Sequence, residues 1–130
     1  MIEVYTDGAT SGNPGQSGAG IVIIKDGTRK NYSVQLGTMT NHHAEFWAII
    51  KALEICQSDH PDDIISLRSD SQAAVQAIDK EHTKNKEFQP LLEQIIQLSR
   101  QFPHFFIKWI PEKQNKAADQ LAREAIRQTQ

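Results

Sequence analysis

The stretch Tyr5-Thr6-Asp7-Gly8-Ala9-Thr10-Ser11-Gly12-Asn13-Pro14-Gly15 sets a carboxylate at the end of an alternating run and follows it with a glycine-rich turn. Ile2, Val4 and Thr6 alternate with Glu3, Tyr5 and Asp7, the period of two expected of a strand with one buried face, and Gly12-Asn13-Pro14-Gly15 breaks the chain. Working outward, residues 18–25 and 29–36 read as two further strands. Asp26-Gly27 between them is the dipeptide a tight hairpin favours, because it tolerates positive φ. The first third of the chain is therefore expected to be an antiparallel meander.

Thr40-Asn41 can cap a helix running from about residue 43 to 57, on which Ile49, Ala52, Leu53 and Cys56 recur at helical spacing and Glu45 shares their stripe. A strand over 64–69 follows, and Asp70-Ser71 opens a short helix through Ala73, Ala74, Ala77 and Ile78. Reached through a helix, that strand is expected to join the sheet in parallel. Pro90 marks the start of a longer helix that ends before Pro103, Phe105, Ile107 and Trp109 alternate in a fifth strand, and Asn115 is read as the cap of a last helix. The order predicts one α/β domain over residues 1–130, a five-stranded mixed sheet with three antiparallel strands then two parallel, flanked by helices.

A chain of 130 residues buries about 65 to 70% of the surface its unfolded form exposes, so it needs neither disulfide nor zinc to hold a core. Cys56 is the one cysteine and lies in a helical pattern, which reads as a small buried hydrophobe in a reducing, cytoplasmic compartment. No apolar stretch reaches the length of a membrane span, and the start Met-Ile-Glu-Val-Tyr lacks the pattern of a signal peptide. A net charge of −2 decides nothing about partners, and the lysines of residues 80–86 are diluted by Glu81 and Glu87.

Among the sixteen acidic residues, Asp7, Glu45, Asp70 and Asp119 stand apart. Asp7 could be a turn residue, Asp70 a helix cap, and Asp119 an acid at the positive end of a helix. Glu45 has no such explanation: it lies on a core-facing stripe, where an ionised carboxylate costs several kcal/mol unless paired, and no Ser or Thr stands three residues earlier to make a capping box. If the first and fourth strands are neighbours, the strand ends and two helix starts can bring the four acids to one edge. Such a cluster asks for hard divalent cations, Mg²⁺ or Mn²⁺, and two of them would suit phosphodiester hydrolysis.

Taken together, Tyr5-Thr6-Asp7-Gly8, Gly12-Asn13-Pro14-Gly15, Thr40-Asn41-His42-His43-Ala44-Glu45, Asp70-Ser71-Gln72 and Asn115-Lys116-Ala117-Ala118-Asp119-Gln120-Leu121-Ala122 resemble the type 1 ribonuclease H family over the whole chain and in the right order. The resemblance implies a ribonuclease H-like fold and endonucleolytic hydrolysis of the RNA strand of RNA/DNA hybrids. By the same resemblance Asp7, Glu45, Asp70 and Asp119 would be the catalytic set holding two Mg²⁺ or Mn²⁺ ions. Gly12, Asn13, Asn41 and Gln72 would meet the hybrid, with Thr40 near a DNA-strand phosphate. A monomer is expected. The chain departs from many members in three ways: no histidine in residues 110–114, His42 where an asparagine is common, and residues 79–90 too short and acidic for a basic handle, which makes the compact members the nearer likeness. Two rival readings follow from those departures, a weakly active or inactive hybrid-binding protein and a protein-interaction module on the same fold.

Overall fold

The computed structural model describes residues 1–129. Strand β1 (Ile2–Gly12) runs past Asp7, where the alternation ends, because residues 8–12 find a partner strand regardless of pattern. Gly8 faces Ala19 and Gly12 faces Gly15 across an antiparallel pairing with β2 (Gly15–Lys25). Gly12, at φ 98°, turns the hairpin, and Asp26 and Gly27, at φ 50° and 79°, turn the next one as their sequence predicts. Strand β3 (Thr28–Met39) is likewise longer than residues 29–36, following β2 along its length with a bulge at Ser17/Gly18.

Helix α1 (Asn41–Asp59) begins at Asn41 and is capped by Thr40, whose Oγ1 accepts from the His43 amide. After it come β4 (Ile65–Ser69), α2 (Gln72–Lys80), α3 (Gln89–Ser99), β5 (Phe105–Trp109), a 3₁₀ turn (Glu112–Gln114) and α4 (Lys116–Thr129). The sheet order is β3-β2-β1-β4-β5, with β1 and β4 parallel and β4 and β5 parallel, as the order of elements predicted. In that register Thr6 lies opposite Ser69, so Asp7 on β1 and Asp70 just past β4 each come one residue later, side by side. The short β5, with Phe106 exposed, forms one edge. No helix among the described residues is long and apolar enough to cross a membrane.

Each face of the sheet receives its own cover. Ile2, Val4, Ile21, Ile23, Ile65 and Leu67 meet the apolar stripes of α1, α2 and α3 in one buried core. On the opposite face α4 lies against β1, β2 and β3 through Ala118, Ala122 and Ala125, each fully buried. The approach is close because β2 offers glycine there: a Cβ on Gly20 would strike the Ala118 carbonyl, and one on Gly18 would come within 2.7 Å of the Ala125 methyl. Ser33 Oγ adds a donor to the Leu121 carbonyl at 2.8 Å.

Gly20→Ala is therefore expected to destabilise the fold at or above the upper end of the about 1–3 kcal/mol typical of overpacking, because the colliding atom is backbone and cannot rotate away. The urea midpoint of the variant measures it. A midpoint equal to wild type would mean that α4 is free to ride outward.

Candidate active site

Asp7 and Asp70 reach the same end of the sheet from β1 and from the residue after β4, and both face the cleft bounded by α4. Glu45 arrives from α1, and the missing side chain at Gly8 is what lets it in: a Cβ there would lie 2.6 Å from the Glu45 nitrogen. The Gly8 amide in turn donates to Glu45 Oε1 at 2.5 Å and orients that carboxylate. One carboxylate oxygen from each of Asp7, Glu45 and Asp70 lies within 4.8 Å of the others. Asp7 is 6% exposed and Glu45 9%, and no lysine or arginine pairs with any of the three among the described residues.

Like charges so placed hold protons. The Asp7 carboxyl is raised far above its ordinary range, first by burial and then by the negative charges of Glu45 and Asp70. Burial also raises Glu45, opposed by the Gly8 amide, with Asp70 adding to the rise. This donor set of hard carboxylate oxygens, largely withdrawn from solvent and without a paired lysine or arginine among the described residues, is compatible with divalent metal binding.

Asp119 lines the same cleft but stands outside the close group of three. Its Oδ2 accepts from Arg123 Nε at 3.0 Å one helical turn on, while the carboxylate still helps to raise Asp7. Gly12, Asn13 and Asn41 also line the cleft, tied together by the Asn41 amide donating to Asn13 Oδ1 at 2.9 Å. Thr40 and Gln72 do not line it: Thr40 is occupied capping α1, and Gln72 is exposed at the start of α2. The imidazoles of His42 and His43 lie edge-on to Phe88, and no histidine lines the cleft among the described residues. From the 3₁₀ turn, Glu112 and Lys113 do.

Sequence reasoning missed the part that Asn115 plays. Its carbonyl does start α4, accepting from the Asp119 amide at 3.1 Å, but its side chain turns inward and is 1% exposed. Nδ2 donates to the Thr6 carbonyl at 2.8 Å and to Asp70 Oδ2 at 3.3 Å, fastening the start of α4 to both strands that carry the acids. Trp109, 42% exposed, donates from Nε1 to the Asp70 carbonyl at 3.1 Å.

A mixed sheet of this strand order, with acids gathered where β4 ends beside the middle of β1, defines a ribonuclease H-type domain. Residues 5–125 match the reverse transcriptase-like family, and the chain belongs to it. It is 47% identical, over 97% of its length and 94% of the relative's, to EbsB of Enterococcus faecalis, whose assignment as a hydrolase is provisional. A ribonuclease H of Desulforamulus reducens is 34% identical over 98% of this chain and 88% of its own. The crystal structure of LC11-RNase H1 in complex with an RNA/DNA hybrid superposes with a TM-score of 0.91 at 31% identity, covering 99% of each chain.

The raised carboxyls fix the sign of a pH effect. Between the ordinary carboxylate pKa values and the raised ones, the folded protein binds more protons than the unfolded chain, so this stabilisation is complete at low pH and is lost as pH rises. Without divalent cation, Asp7→Asn should melt near wild type at about pH 4. It should exceed wild type by neutral pH by at least the about 1.4 kcal/mol that one pKa unit represents. Melting curves in chelator across that range test it, and an Asn variant less stable at every pH would make Asp7 a structural cap.

Proposed function

We propose that the protein is a metal-dependent endoribonuclease that hydrolyses the RNA strand of RNA/DNA hybrids, with two Mg²⁺ or Mn²⁺ ions held by Asp7, Glu45, Asp70 and Asp119. The observation that carries this reading is the trio of carboxylates within 4.8 Å, two of them buried, with no lysine or arginine paired to any of the three among the described residues. Relatives named ribonuclease H and the likeness to a hybrid-bound RNase H1 support the substrate. When bound, such ions supply Lewis-acid stabilisation of charge at a phosphodiester and make water a better nucleophile at neutral pH.

The chain's own residues divide the remaining work. Asp7 would be the central member of the metal-holding set, since it lies within 4.8 Å of both Glu45 and Asp70 and its carboxyl is also raised by Asp119. Glu45 and Asp70 would be the fixed members of the set, oriented by the Gly8 amide and by Asn115 Nδ2. Asp119 would be the adjustable one, partly exposed and paired with Arg123. Gly12, Asn13 and Asn41 form a neutral polar wall, suited to 2′-hydroxyls in a wide, shallow minor groove. Thr40 and Gln72 are assigned to the flanks of the duplex, and proton exchange at the rim falls to Glu112. The reading carries a cytoplasmic location, in keeping with the free, buried Cys56, and a monomeric enzyme.

An end-labelled hybrid incubated with Mg²⁺ and with Mn²⁺ should be cut internally in its RNA strand alone. Asp7→Asn and Asp70→Asn should each lower the rate by more than the about 10–100-fold that removing a mere supporting residue costs. A wild-type protein that binds the hybrid and cuts it with neither metal would instead be a hybrid-binding protein.

A further inference from the structure

The two walls of the cleft differ in charge. One is the neutral run from Gly8 to Asn13 together with Asn41, and the other carries the four cations Lys113, Lys116, Arg123 and Arg127 against the two acids Glu112 and Asp119. On α4 the steps of seven and four residues from Lys116 to Arg123 to Arg127 return to nearly the same side of a helix with about 3.6 residues per turn. At about 1.5 Å per residue the ridge is ~16 Å long. One strand of B-form DNA places a phosphate charge every ~3.4 Å of axis, so the ridge runs beside about five of them.

Helix stability accounts for only half of these cations. Arg123 is paired with Asp119, and Arg127 lies in the last turn of α4, where a positive charge suits the helix dipole. Lys116 is the first residue of α4, the end at which the dipole disfavours a cation, and Lys113 belongs to the exposed 3₁₀ turn before it. Among the described residues neither has an ion pair. Both flank Asn115, whose bonds to the Thr6 carbonyl and Asp70 hold this corner in register with the acid floor. Two exposed lysines, without an ion pair among the described residues, thus line the acidic cleft from a backbone corner that Asn115 ties to the strands.

We infer that Lys113 and Lys116, continued by Arg123 and Arg127, form a phosphate-binding wall that seats the backbone of one nucleic-acid strand beside the acid floor. The wall contacts phosphate without reading bases, so it sets affinity and register independently of sequence. It also supplies the phosphate contacts that residues 80–86, with Glu81 and Glu87 among their neighbours, do not concentrate at the cleft. The inference rests on the hybrid reading given above.

Fluorescence anisotropy with a fluorescein-labelled RNA/DNA hybrid, in the cleavage-impaired Asp70→Asn protein with Mg²⁺, tests it through the slope of log Kd against log salt. Adding Lys113→Ala and Lys116→Ala should reduce that slope by about two, roughly one for each phosphate left unneutralised, and to the same extent for hybrids of unrelated sequence. Lys84→Ala with Lys86→Ala, the same charge removed from the loop between α2 and α3, should leave the slope as it was. In the cleaving protein the first pair should raise KM more than it lowers kcat. An unchanged slope for the Lys113/Lys116 pair, or a drop confined to the loop pair, overturns the phosphate wall while hybrid binding stands. A wild-type protein with no affinity for the hybrid overturns both.

Discussion

Bare backbone at Gly8, Gly18 and Gly20 lets two helices approach the sheet from opposite faces more closely than any side chain would permit. On one face the contact delivers Glu45 to the middle of β1, beside Asp7. On the other it seats α4 so that Asn115 reaches the Thr6 carbonyl and Asp119 overhangs the cleft. The acids meet because of steric vacancy at three points, not because they attract one another, and their mutual position is inherited from the packing of the core. A change that thickens the sheet surface would move the carboxylates as well as the helices.

That inheritance explains how an unfavourable cluster persists. Burial and like charge both raise Asp7 and Glu45, a local cost carried by the apolar core around Ile49, Ile50, Leu53 and Leu67. Fixed donors make the geometry definite: a backbone amide at Glu45 and a buried carboxamide at Asp70. Asp119 is held differently, by an exposed arginine whose pairing contributes about 0.3–0.5 kcal/mol at such helix spacing. Rigid and yielding carboxylates therefore share one site, and the yielding one stands on the solvent side.

Patterns that repeat along the chain were legible from it. Strand alternation, the Asp26-Gly27 turn and the helical stripe bearing Glu45 are local, and they led to the sheet order and to the acids that share its edge. Features made by distant pairing were not. The extension of β1 from Asp7 to Gly12 depends on β2, and the buried bond of Asn115 to Thr6 joins residues 109 apart. An asparagine before a helix looks the same whether its side chain caps or turns inward. The basic wall stayed hidden for a related reason: Lys113, Lys116, Arg123 and Arg127 are dispersed in sequence, balanced in the net charge, and gathered only when the 3₁₀ turn meets α4. Thr40 and Gln72, whose roles came from the resemblance alone, lie outside the cleft lining.

The bond from Trp109 to the Asp70 carbonyl gives the molecule an optical sense of its own site. An indole that is half in water and tethered to the backbone of an acid in the cluster changes its emission when the charge or hydration beside it changes. The second tryptophan, Trp47, lies on α1 near the Lys51 ammonium, away from Asp70, and supplies the background signal. Occupancy of the acid floor can thus be followed as light from the unlabelled protein, with Trp109→Phe as the blank.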